Sequence, residues 1–185
     1  GINIMGGSNH ILINNYFGKD LLDGVSIASG AQNNFQFINN TFVNNWYGVF
    51  YGGGVRGVVV EGNTFINNKI YDLGLVKAGE TKINNNTFIS GYYSVKVDEN
   101  TTLSGTCTPI YIEQGNTAHG APSTIETITI TNNIFEAYND TNPYTIDAVY
   151  VQSKGGPLLP IGTITVTNNT YEEGITPVTF MDNSW

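Results

Sequence analysis

The unit Asn-x-aromatic recurs six times, and each copy sits at the same place in a longer pattern. The copies are ILINNYF at 11–17, FINNTF at 37–42, VEGNTF at 60–65, INNNTF at 83–88, ITNNIF at 130–135 and VTNNTY at 166–171. Aligned on the final aromatic (Phe17, Phe42, Phe65, Phe88, Phe135 and Tyr171), the position two earlier is always Asn: Asn15, Asn40, Asn63, Asn86, Asn133 and Asn169. The position five earlier is always apolar: Leu12, Phe37, Val60, Ile83, Ile130 and Val166. Seven earlier, Phe35, Val58, Ile128 and Ile164 are apolar, with His10 and Thr81 as exceptions. A chain that repeats itself this way is a stack of short units, each burying its apolar face against the next.

The aromatics are separated by 25, 23, 23, 47 and 36 residues. A period near 23 is too short for most helical repeats, and the leucine lattice of a leucine-rich repeat is missing. The gap of 47 reads as two rungs, one without its marker, and the gap of 36 as one rung with an insertion. Apolar residues alternate with Thr, Gln or Lys, the pattern of a strand with one face inward. The Asn falls at the corner where that strand ends, where it tolerates a left-handed backbone. Neighbouring rungs lie about 4.8 Å apart, so Asn can bond to Asn and aromatic can stack on aromatic from rung to rung. A further strand follows the marker in GVFY (48–51), YSVKV (93–97), AVYV (148–151) and PVTF (177–180). The expected fold is all-β: a single-stranded parallel β-helix of about seven rungs of roughly 23 residues, filling 1–185 as one domain.

These repeated NNTF-type units resemble the parallel β-helix repeats of the pectin-lyase-like superfamily, from Ile11 to Tyr171. The resemblance implies a right-handed solenoid. It leaves activity open, because that superfamily holds lyases, hydrolases, epimerases, tailspikes and adhesins. In its Asn-rich, Lys-poor style the chain is most similar to adhesin-like surface proteins of archaea and bacteria.

An irregular, insertion-bearing rung is expected at about 98–127, with loops at about 138–145 and 153–162 that are rich in Pro, Gly and Asn. The chain opens already inside a rung. The expectation is therefore a piece of a longer solenoid, or ends covered by neighbouring copies. Met181 and Trp185 are candidates for a small cap on the last rung. Cys107 is either a buried small side chain or half of an intermolecular disulfide.

Charged residues are only 12% of the chain, the net charge is −8, and seven basic residues are spread singly. Nucleic acid and polyanionic glycans are poor partners for such a surface. No apolar run is long enough to span a membrane. Resemblance to pectate lyases would imply Asp ligands for calcium and an Arg base, but the single arginine, Arg56, lies in a Gly-rich turn away from any Asp cluster. The four segments that mark polygalacturonases are missing, and His119–Gly120 is only a dipeptide echo of one. The pairs Asp98–Glu99 and Glu172–Glu173 are poor dyads, because adjacent acids on a strand point to opposite faces. Asp20, Asp23 and Asp72 are weak calcium candidates, with a solvated acidic face as the alternative. No catalytic residue is assigned and no cofactor is required beyond that calcium.

The rings that follow the markers are the better lead. Trp46, Tyr47, Tyr51, Tyr71 and Tyr93 form a candidate aromatic face for sugar rings or for another protein, with Tyr92, Tyr138, Tyr144 and Tyr150 recurring nearby. Asn100 and Asn139 are the candidate glycan acceptors. The expected function is a non-catalytic structural or adhesive module of an extracellular cell-surface, sheath or filament protein. Its partners would be other copies of itself, a longer surface protein, or glycans. The alternative is a carbohydrate-active enzyme or a glycan-binding module of the same superfamily.

Overall fold

The computed structural model describes residues 1–18, 22–27, 33–52, 55–96, 98, 100–114, 127–138, 145–154 and 162–183. Three parallel sheets wind around one core. The strands that carry the apolar pair before each marker form a six-stranded sheet: β2 (Ile11–Ile13), β5 (Gln36–Ile38), β8 (Val58–Glu61), β11 (Thr81–Asn84), β16 (Thr127–Thr131) and β19 (Thr163–Thr167). The strands that carry the marker aromatic form a second: β3 (Tyr16–Gly18), β6 (Thr41–Val43), β9 (Thr64–Ile66), β12 (Thr87–Ser90), β17 (Ile134–Ala137) and β20 (Thr170–Tyr171). The third, long sheet has seven strands: β1 (Ile2–Ile4), β4 (Asp23–Ile27), β7 (Tyr47–Gly52), β10 (Tyr71–Val76), β15 (Thr108–Gln114), β18 (Ile146–Lys154) and β21 (Ile175–Asn183). GVFY, AVYV and PVTF lie in it, as expected.

Alternation places the core. In β16, Ile128 and Ile130 are buried while Thr127, Thr129 and Thr131 are not. Phe37, Val60, Ile83 and Ile130 line up in register and point inward. The marker rings form a continuous column: Phe17, Phe42, Phe65, Phe88, Phe135 and Tyr171 stack at centroid distances of 4.9, 4.9, 4.9, 5.0 and 5.2 Å, all within 9° of parallel. Both departures from the apolar pattern are accommodated. His10 stacks on Phe35 at 5.1 Å, and Thr81 meets the Tyr51 hydroxyl at 3.0 Å and donates to the Gly79 carbonyl.

The Asn ladder runs through all six markers, with Nδ2 of each Asn donating to Oδ1 of the next at 3.0–3.1 Å. The backbone N–H donates to the same oxygen at 2.8–2.9 Å. The left-handed residue, however, is the one before the ladder Asn: Asn14, Asn39, Gly62, Asn85, Asn132 and Asn168 all have positive φ. The corner divides the labour. The first residue bends the chain from one sheet into the next, and the second directs its backbone N–H and its amide to the neighbouring rung.

Three expectations are corrected. The gap of 47 residues is a single rung, since Phe88 stacks directly on Phe135 and β11 pairs with β16. The extra length leaves the wall between β12 and β15 as an antiparallel hairpin, β13 (Tyr92–Lys96) and β14 (Thr102–Thr106), so YSVKV is a hairpin strand and not a solenoid strand. The chain re-enters beside its point of exit, where Cys107 N–H donates to the Gly91 carbonyl at 2.9 Å. Among the described residues there are thus six complete rungs, and the seventh tier, in the long sheet alone, is β1. Finally, Met181 faces outward beside Gln152, with the Tyr150 hydroxyl donating to its sulfur at 2.9 Å, so it does not cap the core. Trp185, and most of the loops at 138–145 and 153–162, lie outside the described residues.

Candidate functional site

The outer face of the long sheet carries three of the candidate rings, Tyr47, Tyr71 and Tyr150. One row runs Asp23, Tyr47, Tyr71 and Thr108 in register, and the next runs Ser26, Phe50, Gly74, Tyr111, Tyr150 and Thr179. Gly74 is required where it stands: a Cβ there would lie 2.6 Å from the Phe50 ring and 3.2 Å from the Tyr71 ring. The space it leaves lets Tyr111 lie flat on Tyr71, centroids 4.2 Å apart and 5° from parallel. Tyr150 continues the column at 6.1 Å, while Tyr47 is tilted 47° away from Tyr71.

This stacking changes what the face offers. Rings that lie on one another present edges and hydroxyls outward and spend their faces internally. The Tyr111 hydroxyl donates to Glu113 Oε2 at 2.7 Å and lies 2.8 Å from Gln152 Oε1. Burial, reinforced by Glu113, raises the Tyr111 phenol, and burial raises Tyr71. Tyr47 is raised by burial and then by the nearby charge of Asp23. Asp23 is itself raised by burial, against a hydrogen bond from Ser26. Tyr51 is a correction: it is fully buried, its phenol raised by burial, and it belongs to the core rather than to the aromatic face.

Trp46 and Tyr93 form a separate cluster at the corner before β7. The hairpin brings the edge of Tyr93 against Trp46, centroids 6.4 Å apart at 62°, and the Lys69 ammonium lies 5.3 Å from the Trp46 ring centre. Trp46, Tyr47, Tyr71 and Tyr93 are all half-buried. Asn100 lies exposed at the hairpin tip, its backbone N–H bonded to Asp98 Oδ1, a contact that lowers the Asp98 carboxyl. Asn139, Asp20, His119 and Tyr144 lie outside the described residues.

Asp72 is the second correction. Its side chain turns into the solenoid and is fully buried. Asn68 Nδ2 donates to one carboxyl oxygen at 2.7 Å, the Ser90 hydroxyl donates to the other, and the Cys107 thiol bonds to the same carboxyl. With both oxygens held by interior donors, Asp72 does not fit a calcium site shared with Asp23. Among the described residues, no group of three or more His, Cys, Asp or Glu could hold a metal ion. Cys107 is free and buried, its thiol raised by burial and by Asp72, so an intermolecular disulfide does not fit its position.

Two features escaped the sequence reading. A second Asn pair, Asn45 and Asn68, bonds at 3.2 Å along the corner three residues after the marker aromatic, with left-handed Asn44 and Asn67 before them. The doublets in VNNW and INNK repeat the marker's own Asn-Asn and were the available signal. Tyr111 was also missed. Laying PIYIEQ over AVYVQS places it on Tyr150, which is the register observed.

A three-sheet parallel solenoid with an internal Asn ladder, an aromatic column and an inserted hairpin defines a β-helix protein. Residues 1–108 match the family model described as right-handed beta helix region, and the chain belongs to that family. No curated protein matches it. Among solved structures it is similar to the Streptococcus pneumoniae surface protein and adhesin PfbA, at 16% identity and a TM-score of 0.56, over 94% of this chain and 49% of that one. The chain thus spans about half the length of that adhesin, and at this identity the likeness is one of fold.

Proposed function

We propose that the chain is a non-catalytic adhesive or structural module of an extracellular surface, sheath or filament protein. The observation that carries this is the placement of the hairpin. Among the described residues, a wall held by two internal columns carries one inserted hairpin, and that hairpin delivers Tyr93 to the half-exposed Trp46. Contact residues on insertions, positioned by a regular scaffold, are a common plan for binding proteins. Similarity of fold to a surface adhesin supports the reading.

The test is retention of the purified protein on immobilised cell-wall material and extracellular-matrix proteins. Wild type is expected to be retained, and Trp46→Ala and Tyr93→Ala to release early with unchanged far-ultraviolet circular dichroism. Retention that ignores both substitutions would move the contact surface elsewhere.

Glycan binding is a second reading, favoured by the half-exposed Tyr47 ring, which is tilted out of the stacked column against Phe50 and Tyr71. The partner sugars would be uncharged, because Asp23 and the net charge of −8 repel polyanions.

A further inference from the structure

Asp72 stands where the second Asn ladder stops. Asn45 bonds to Asn68, but the next position in that column is Gly91, which has no amide to offer. The Asp72 carboxyl fills the gap, and Asn68 donates to it instead. The other two donors are the roots of the hairpin: Ser90 closes β12 one residue before Gly91, and Cys107 follows β14. The roots are also joined by Cys107 N–H to Gly91 O at 2.9 Å, and Thr108 N–H donates to Ile70 O at 3.0 Å. One fully buried carboxyl thus gathers the solenoid corner and both ends of the only inserted hairpin among the described residues.

We propose that Asp72 is a proton-sensitive latch: neutral, it holds the hairpin roots closed on the solenoid, and ionised, it favours their opening to water. The groups that meet it are Asn68 from the corner before β10, Ser90 from β12 and Cys107 from the start of the strand that re-enters the wall. Among the described residues, the Cys107 thiol is the one other titratable group in contact, and no cation balances the carboxylate. Burial is the dominant influence and pushes Asp72 from 3.8 up to about 7, against the three hydrogen bonds. A solvated Asp72 returns to its ordinary value, so opening releases one proton between those limits. The latch is therefore tight in acid and loosens as pH rises. Because β13 carries Tyr93 against Trp46, opening also disperses the aromatic cluster. The link to binding rests on the contact-surface reading above, whereas the exchange experiment reads the latch alone.

The experiment is amide hydrogen exchange across pH 4.5–8.5, corrected for intrinsic rates, following Cys107, Thr108 and the hairpin amides against those of Val60 and Phe65. The root amides are expected to open more readily than the Val60 and Phe65 amides. Their opening constant should rise about tenfold per pH unit up to near pH 7 and then level off. In Asp72→Asn the slope should vanish. Ser90→Ala, which removes a donor to the anion, should move the levelling point to higher pH, and it serves if Asp72→Asn does not fold. A flat profile in wild type, an undiminished slope in Asp72→Asn, or root amides that exchange only together with Val60 and Phe65 would overturn the proposal.

Discussion

Asn86 accepts hydrogen bonds from the backbone and the side chain of Asn63, and its own Nδ2 reaches Asn133 Oδ1 and the carbonyls of Val60 and Asn84. Truncating it strands buried groups on both sides, and each unsatisfied buried partner costs about 1–3 kcal/mol. Asn86→Ala should therefore lower unfolding free energy by roughly 2–4 kcal/mol, against within about 0.5 kcal/mol for the outward Thr129→Ala. Urea denaturation of the two variants checks this. Asp72 acts in the opposite sense to a paired surface acid. Its proton is held more tightly folded than unfolded, so its contribution to stability is complete below pH 3.8 and is lost as pH rises toward 7. The loss is on the order of 4 kcal/mol. Urea midpoints should fall from pH 4 to pH 7, and the fall should shrink in Asp72→Asn. The six ladder Asn and six column aromatics were legible in the sequence because each must recur once per rung. The direction of Asp72 was not, because a lone carboxylate on a strand carries no periodic signal, and the vacancy it fills is visible only as the Gly91 that ends a column.

At the scale of elements, the hairpin is an addition to the rung and not part of it. Its roots already touch through Cys107 and Gly91, so replacing 92–106 with a two- or three-residue turn should leave the three sheets intact. Circular dichroism should stay β-rich, and the environment of Trp46 should become more polar once Tyr93 is gone, read as a red shift in a Trp185→Phe background. Loss of the cooperative transition would show instead that the hairpin supports the wall. The hairpin was not legible because YSVKV alternates just as a solenoid strand does, and periodicity cannot tell pairing with the next rung from pairing with a near neighbour. The same ambiguity made a 47-residue interval look like two rungs, whereas β11 and β12 pair directly with β16 and β17.

At the largest scale, two uncharged columns, the Asn ladder and the aromatic stack, run through three sheets and tie rung to rung. The ladder Asn amides and the column rings are engaged inside the solenoid, rung to rung, which leaves the outward aromatics and the insertions as contact surface. Fold and ladder could be read from spacing alone, but the placement of the rings could not, because a tyrosine in a strand is core like Tyr51, self-stacked like Tyr111 or half-open like Tyr47, according to neighbours brought together only by winding. The proposed role is adhesion without turnover. The most direct measurement incubates the protein with insoluble and soluble polysaccharides and with cell-envelope material, following bound protein together with release of reducing ends and unsaturated products. Retention that weakens in Trp46→Ala is expected, with no product above the blank. Product release that scales with protein concentration would contradict that role.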